Sequence, residues 1–299
     1  MRRLLTLFVV LTIAGWMTGC ATKPEVVKVA QKKKKTSPPK RYFRPPLSDL
    51  AQYPSMKDRF PTGSKSIDDV LSNYGPYALN NLQPYFQQAG VAYPPYEIAL
   101  LTIKDEKRME LWARSTAQAP FKLVHNYGVR AASGIRGPKL KQGDRQVPEG
   151  IYEISRLNPH SNYHLSMKVN YPNQFDLDHA EDDGRTDLGG DIFIHGKAVS
   201  IGCLAMGDEA IEELFVLAAH VGIENIKVII APSDPRKAPL DPFLPNLPEW
   251  TPELYRKITD QVFQLTGAKP PKVRLARATL PRRFVPTPAP KVEEESFFP

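Results

Sequence analysis

Apolar positions along this chain recur with two spacings, and the spacing changes several times. From Ser66 to Val91 it is helical: Ser66 with Asp69 three residues later forms an N-cap pair ahead of Val70 and Leu71, and a second run sets Leu79, Leu82, Phe86 and Ala89 on one side before Gly90. Pro76 and Pro84 fall inside this stretch and predict breaks or fresh helix starts rather than one rod. From Tyr96 the pattern turns to strands. Ile98, Leu100, Leu101 and Ile103 lead into a charged turn at Lys104 to Lys107, and Met109, Leu111 and Ala113 follow on alternate positions, which predicts a hairpin that FKLVHNYGV extends. IYEIS, HLSMKV and IKVIIA read as further strands; alternation in HLSMKV places His164, Ser166 and Lys168 on one face and Leu165, Met167 and Val169 on the other.

Two more helices are predicted after residue 200. Asp208 caps the first, with Ile211, Leu214, Phe215 and Ala218 buried and Gly222 closing it; Thr251 and Pro252 start the second, which runs through Leu254, Ile258, Val262 and Leu265 to Gly267. His220, in the last turn of the first, is expected to complement the helix dipole, and His125 to be structural. DLDHAEDDGRTDLGGD, residues 176–191, is read as an acidic flap; it lacks the ligand spacing and closing glutamate of a calcium loop. The element pattern is that of an α+β protein with mainly β content.

Charge divides the chain differently. Of 299 residues with a formal net charge of +8, the basic excess lies in the ends: residues 1–46 hold 11 Lys and Arg against one acid, and 268–299 hold seven against three, while the middle is net acidic. A nucleic-acid-binding domain needs its basic groups on the folded face, so that class is excluded. Residues 1–20 resemble a bacterial lipoprotein signal, with Arg2 and Arg3, an apolar stretch from Leu4, and Thr18 and Gly19 before Cys20, although Met17 departs from the usual leucine. Cys20 is then the lipidation site. Residues 21–60 read as a linker: Lys32 to Lys35 repel one another and the prolines forbid regular pairing. The remaining organisation is a helical lead-in at 61–95, a mainly β domain at 96–235, a C-terminal helix at 236–267 packing on that domain and a basic, proline-rich tail at 268–299.

Candidate chemistry lies in DIFIHGKAVSIGCLAM, 191–206. A short apolar strand delivers His195 to Gly196, where the chain can turn, and seven mostly small residues later comes Cys203. A histidine brought to a thiol raises its thiolate fraction, so the pair reads as a nucleophile and its base. The alternative is a small buried cysteine beside a core histidine. The cysteine count favours the first: Cys20 and Cys203 are the only two, and a solitary thiol in an exported protein is a liability unless it has a task.

Several ordered blocks resemble the L,D-transpeptidase catalytic domain of the YkuD type. SGIRGPKLKQGDRQVPEGIYEI, NPHSNYHLSMKVNYPNQFD and IHGKAVSIGCLAM are similar to the family's GPK, GD and PEG-Y signature, its strand pair with a YPN-D turn, and its active-site motif. The resemblance covers about 98 to 232 and implies a mainly β sandwich or barrel with flanking helices. It further implies a cysteine enzyme working on peptidoglycan stem peptides without metal or cofactor. Cys203 would attack the meso-diaminopimelate carbonyl to form a thioester, with His195 as base and the Gly196 carbonyl orienting its ring. Backbone N–H groups of Gly202 and Cys203, with Ser200 helping to shape the hole, would hold the oxyanion, and Arg136, Lys139 and His164 are candidate substrate contacts. The Arg136 and Lys139 region reads equally as solvated turn charges, and His164 as a sheet-surface histidine.

Two departures separate this chain from many members: Ile201 stands where a second motif histidine is common, and Ala205 where arginine or asparagine is common. The short spacing resembles a branch that includes peptidoglycan amide hydrolases, so trimming of stems or release of a wall-linked lipoprotein stays open beside transpeptidation, as does an inactive wall-binding lipoprotein. The implied setting is the periplasm, with the chain held by lipid at the outer membrane, because Ala21 follows the lipid-bearing cysteine in place of the aspartate that favours inner-membrane retention.

Overall fold

A computed structural model describes residues 66–271; the N-terminal signal with Cys20, the linker over 21–60 and the tail from 272 onward lie outside the described residues. The chain first forms α1 (Ile67–Ala89), whose N-terminus is closed by the reciprocal bonds of Ser66 and Asp69 and whose C-terminus ends on Gly90 at φ 62°. Contrary to the expectation of breaks, α1 is a single helix through Pro76 and Pro84. The carbonyls that lose a donor belong to Ser72 and Asn80, both on exposed residues where water substitutes, while Val70, Tyr74, Ala78, Leu82 and Phe86 hold the opposite face in the core.

The predicted hairpin is present as β1 (Glu97–Ile103) and β2 (Arg108–Arg114), paired from Glu97↔Arg114 to Ile103↔Arg108. The following strands are β3 (Lys122–Gly128), β4 (Ala131–Ala132), β5 (Gly150–Asn158), β6 (Ser166–Val169), β7 (Phe193–His195), β8 (Leu204–Ala205) and β9 (Ile226–Ala231). Among the described residues they form one nine-stranded sheet in the order β3-β2-β1-β9-β5-β6-β7-β8-β4. The sheet is antiparallel except where β1 meets β9 and β7 meets β8. β5 is the hinge of this arrangement. Its first residues pair with β9, and a register shift between Ile154 and Arg156 then turns its far end onto β6. The result is a curled, mostly β half-barrel rather than a flat sheet.

Three further helices, α2 (Gln174–Asp182), α3 (Asp208–Val221) and α4 (Thr251–Thr266), complete the fold. α1 and α3 cover one face and α4 the other, which explains why β1 is buried from Ile98 to Ile103. Ile98 and Leu100 join the core under α1 and α3, while Ala99, Leu101 and Ile103 join Leu254, Ile258 and Val262 of α4. Each such large side chain contributes about 1.5–3 kcal/mol on leaving water.

Several expectations are corrected. The acidic stretch expected as a flap begins with α2, because Asn173 and Asp176 form a capping box; Asp176 is buried there, which pushes its carboxyl up to about 6. Only the residues after Gly184 form an irregular loop. His164 lies outside β6, in a turn at φ 76°, although Leu165, Met167 and Val169 are buried as alternation predicts. Asp208 is the first helical residue of α3 and not its cap; Gly207 holds that position, and the Asp208 carboxylate accepts from the Lys197 N–H at 2.8 Å. His220 lies in the last turn of α3 as expected; burial lowers its imidazole, and it shares a 2.8 Å hydrogen bond with the Tyr93 hydroxyl.

Candidate active site

β7 is three residues long and lies between β6 and β8, with His195 opposite Ser166 on one side and Ala205 on the other. Because β7 and β8 run parallel with Ile194↔Leu204, Cys203 enters β8 beside Phe193, and residues 193 and 195 share a strand face. Both reactive side chains therefore open into one cavity of about 620 Å³, whose wall also includes Tyr163, Lys139, Arg145 and Ile201. Residues 196–203 make the parallel connection, far fewer than the dozen or more that such a link ordinarily takes. Lys197 at φ 57° and Gly202 at φ 120° allow the tight path.

His195 is 2 % exposed. Its Nδ1 donates to the Gly196 carbonyl at 2.6 Å, and a carbonyl only accepts, so this bond sets the tautomer and leaves Nε2 as the basic nitrogen. Burial lowers the imidazole from its ordinary value, the Gly196 bond opposing in part. The Cys203 thiol donates to the Asp191 carbonyl at 3.6 Å. Burial raises the thiol, the Phe193 N–H lowers it, the Asp191 charge raises it and the Lys139 charge lowers it. A histidine bonded to the sulfur would raise its thiolate fraction. Here burial outweighs the favourable contacts and the sulfur bonds to the Asp191 carbonyl, so burial favours the neutral form of both the thiol and the imidazole.

Ser200 braces the loop. Its hydroxyl donates to the Cys203 carbonyl at 2.6 Å and accepts from Ser133 N–H at 3.1 Å and Gly202 N–H at 3.4 Å, tying both flanks of the cysteine to the chain beyond β4. Lys139 lines the cavity, with its ammonium held by Asp144 at 2.5 Å. Arg136 and His164 do not line it: Arg136 pairs with Asp105 at 2.8 Å and His164 with Glu212 at 2.6 Å. Sequence reasoning missed Tyr163, whose ring lies 4.5 Å from that of His195, and Asp191, whose carbonyl receives the thiol. Neither carried a motif of its own.

Gly196 shows how closely the site is built. A Cβ there would lie 2.6 Å from Asp208 Oδ1 and 2.7 Å from the Tyr163 carbonyl, and the second of these is backbone. Gly196→Ala is expected to cost about 1–3 kcal/mol of stability, measured by urea unfolding, because inserted volume in a packed site must displace its neighbours. A variant as stable as the parent would show that these contacts yield freely.

Residues 98–230 match the family described as YkuD, the L,D-transpeptidase catalytic domain. Over 134 residues the chain is 36% identical to YafK of Escherichia coli (strain K12), a protein named as a candidate L,D-transpeptidase; the match takes in 43% of this chain and 51% of YafK. YafK of Escherichia coli O157:H7 matches to the same extent, so the chain spans about half the length of the curated relatives it matches. Among solved structures, the helical cell shape determining protein Pgp2 from Campylobacter jejuni overlaps 51% of this chain and 55% of its own, at 21% identity and a TM-score of 0.38. L,D-transpeptidase 1 of Mycobacterium tuberculosis overlaps 45% of this chain and 61% of its own, at 9% identity and a TM-score of 0.26. The matched stretch, residues 98–230, carries both His195 and Cys203.

Proposed function

We propose that this domain is a cysteine acyltransferase acting on peptidoglycan stem peptides at the meso-diaminopimelate carbonyl. The observation that carries the reading is the shared cavity of His195 and Cys203 in a domain of this family, with one imidazole nitrogen committed to Gly196. The sulfur leaves the Asp191 carbonyl and attacks as Nε2 takes its proton. N–H groups of Gly202 and Cys203 hold the tetrahedral oxyanion, for which Gly202 must turn from Ser200; one such donor is worth about 3 kcal/mol in comparable sites. The imidazolium returns its proton to the leaving amine, and a thioester to Cys203 remains. An acceptor amine then closes a new amide bond, or water releases a free carboxylate.

Because both partners start neutral, the pH dependence has a definite sign. His195 is the base only when unprotonated, and burial lowers its ionisation below the ordinary 6.5, so kcat/KM is expected to fall only as pH drops below that value. It should hold on the alkaline side until the thiol, raised above its ordinary 9.0, begins to ionise. A profile that already falls between pH 7 and 8 on acidification would contradict a buried neutral base.

A hydrolytic outcome draws support from Ile201, 68 % exposed at the cavity wall and without a polar group to orient an acceptor amine. Mass spectrometry of purified muropeptides incubated with the wild type and with Cys203→Ala separates the outcomes. Ligated products mean transfer, trimmed stems or a released protein remnant mean hydrolysis, and no Cys203-dependent product leaves a wall-binding lipoprotein. On the same reading Cys20 carries a lipid in the periplasm, with the basic linker over 21–60 crossing from the outer membrane to the wall polymer.

A further inference from the structure

We infer that Tyr163 is a positioning residue for His195, and that the strap formed by residues 160–165 is clamped by Lys197 and by the His164–Glu212 pair to keep the phenol ring on the imidazole. The inference rests on the reading of His195 as the base. The Gly196 bond fixes only one vertex of the imidazole and leaves its plane to be set by a neighbour. Tyr163 supplies it, with ring centroids 4.5 Å apart and planes inclined by 40°.

The strap is fastened more firmly than a surface turn requires. The Lys197 ammonium donates to the Asn162 carbonyl at 2.6 Å and stands 5.9 Å from the centre of the Tyr163 ring, while the Lys197 N–H is fixed by Asp208 at the start of α3. One residue beyond Tyr163, His164 Nε2 meets Glu212 Oε1 at 2.6 Å, and its ring stands edge-on to Tyr74 of α1 at 5.5 Å. The strap's return is closed by the Gly196 N–H donating to the Leu165 carbonyl at 3.2 Å.

Two costs accompany this clamp. His164 holds φ 76°, and Glu212 Oε2 is buried with no hydrogen-bond partner among the described residues. Strain and an unmet polar atom persist where the surroundings impose them, and here both lie next to the residue that touches the imidazole. The charged and titratable groups around His195 are Tyr163 on the strap, Lys197 on its own loop, Cys203 at β8, Asp208 on α3, and Lys139, Arg145 and Asp191 around the cavity. The base therefore meets an aromatic face on one side and the reacting sulfur's cavity on the other.

The test uses the full chain as wild type, Tyr163→Phe, Tyr163→Ala and Lys197→Met, assayed on purified muropeptides, with the His195 ring titrated by NMR in each. Phenylalanine keeps the ring face and is expected to hold kcat within about threefold, since edge and face contacts of the two rings are alike. Alanine is expected to lower kcat by about 10²-fold, the scale of a misplaced catalytic group, with KM little changed. It should also move the ionisation of His195 upward toward the ordinary value, because the ring becomes wetter. Lys197→Met should move both readouts the same way by less. A loss confined to KM, or a phenylalanine variant as damaged as the alanine one, would overturn the assignment. If the wild type proves inactive on every muropeptide, the proposed reaction fails but the titration still decides: an unmoved His195 in Tyr163→Ala refutes the positioning role.

Discussion

Alanine at position 203 is expected to abolish turnover of stem peptides, by on the order of 10⁶-fold in kcat, the loss seen when a nucleophile is taken from a comparable acyl-transfer site. The magnitude follows from the cavity's layout. Among the described residues Cys203 is the free cysteine, and a thiol is intrinsically a far stronger nucleophile at neutral pH than the hydroxyls of Ser161, Ser166 and Tyr163 that share its cavity. Intact-mass spectrometry gives a second reading, since wild type trapped with a slow substrate should gain the mass of the acyl fragment and Cys203→Ala should not. Turnover by the alanine variant at even a hundredth of the wild-type rate would mean that the sulfur is not the attacking atom.

The largest expected effect on stability lies away from the sulfur, at Glu149. Its carboxylate is fully buried and receives three donors: the Lys104 ammonium at 2.8 Å, the Gly137 N–H at 2.8 Å and the Tyr255 hydroxyl at 2.9 Å. Lys104 in turn donates to the carbonyls of Ile135, Gly137 and Val147, so one ion pair joins the β1–β2 turn, the loop over 133–149 and α4. Desolvation pushes the Lys104 ammonium down and the Glu149 charge opposes it. Glu149→Leu leaves that ammonium buried without its counter-charge and is expected to cost about 3–5 kcal/mol. Urea unfolding should show the midpoint falling with an unchanged slope, and adding Lys104→Met should recover part of the loss. A single variant within 1 kcal/mol of the parent would mean the pair is not what secures this loop. The matter bears on function because Lys139, Gln142, Gly143 and Arg145 of the same loop line the cavity.

Lys104 and Arg136 were visible in the sequence as charges, but their partners were not. Lys104 reads as an exposed turn charge until Glu149, distant in the chain, is brought beneath it by β5. Arg136 reads as a substrate contact until Asp105 is found beside it. The hairpin of β1 and β2 was legible because four charged residues interrupt two apolar runs, and α4 because its Pro and Gly mark its ends. The single helix α1 was not: local proline chemistry predicts interruption, and only the packed face under α3 overrides it. α2 was hidden by its composition, since its acidic residues suggest a solvated loop unless the Asn173–Asp176 cap is read first. At the site, the pairing of His195 with the Gly196 carbonyl was accessible from the motif, whereas Tyr163 depends on a turn outside any strand, where periodicity gives no direction. The upward shift of the thiol was illegible for a related reason. It is a consequence of burial, and burial at Cys203 is created by the loops that close around β7.

The parallel alignment of β7 and β8 limits how this site can be varied. Neighbouring strands lie about 4.8 Å apart, and here residues 196–203 both cross that gap and carry Val199 and Ile201 to the cavity. Extra residues inserted within the link have no room between the strands and must project over the mouth. Selectivity for larger or smaller ligands can therefore be tuned by the length of one connection, with the spacing between imidazole and sulfur held by the strand pair beneath it.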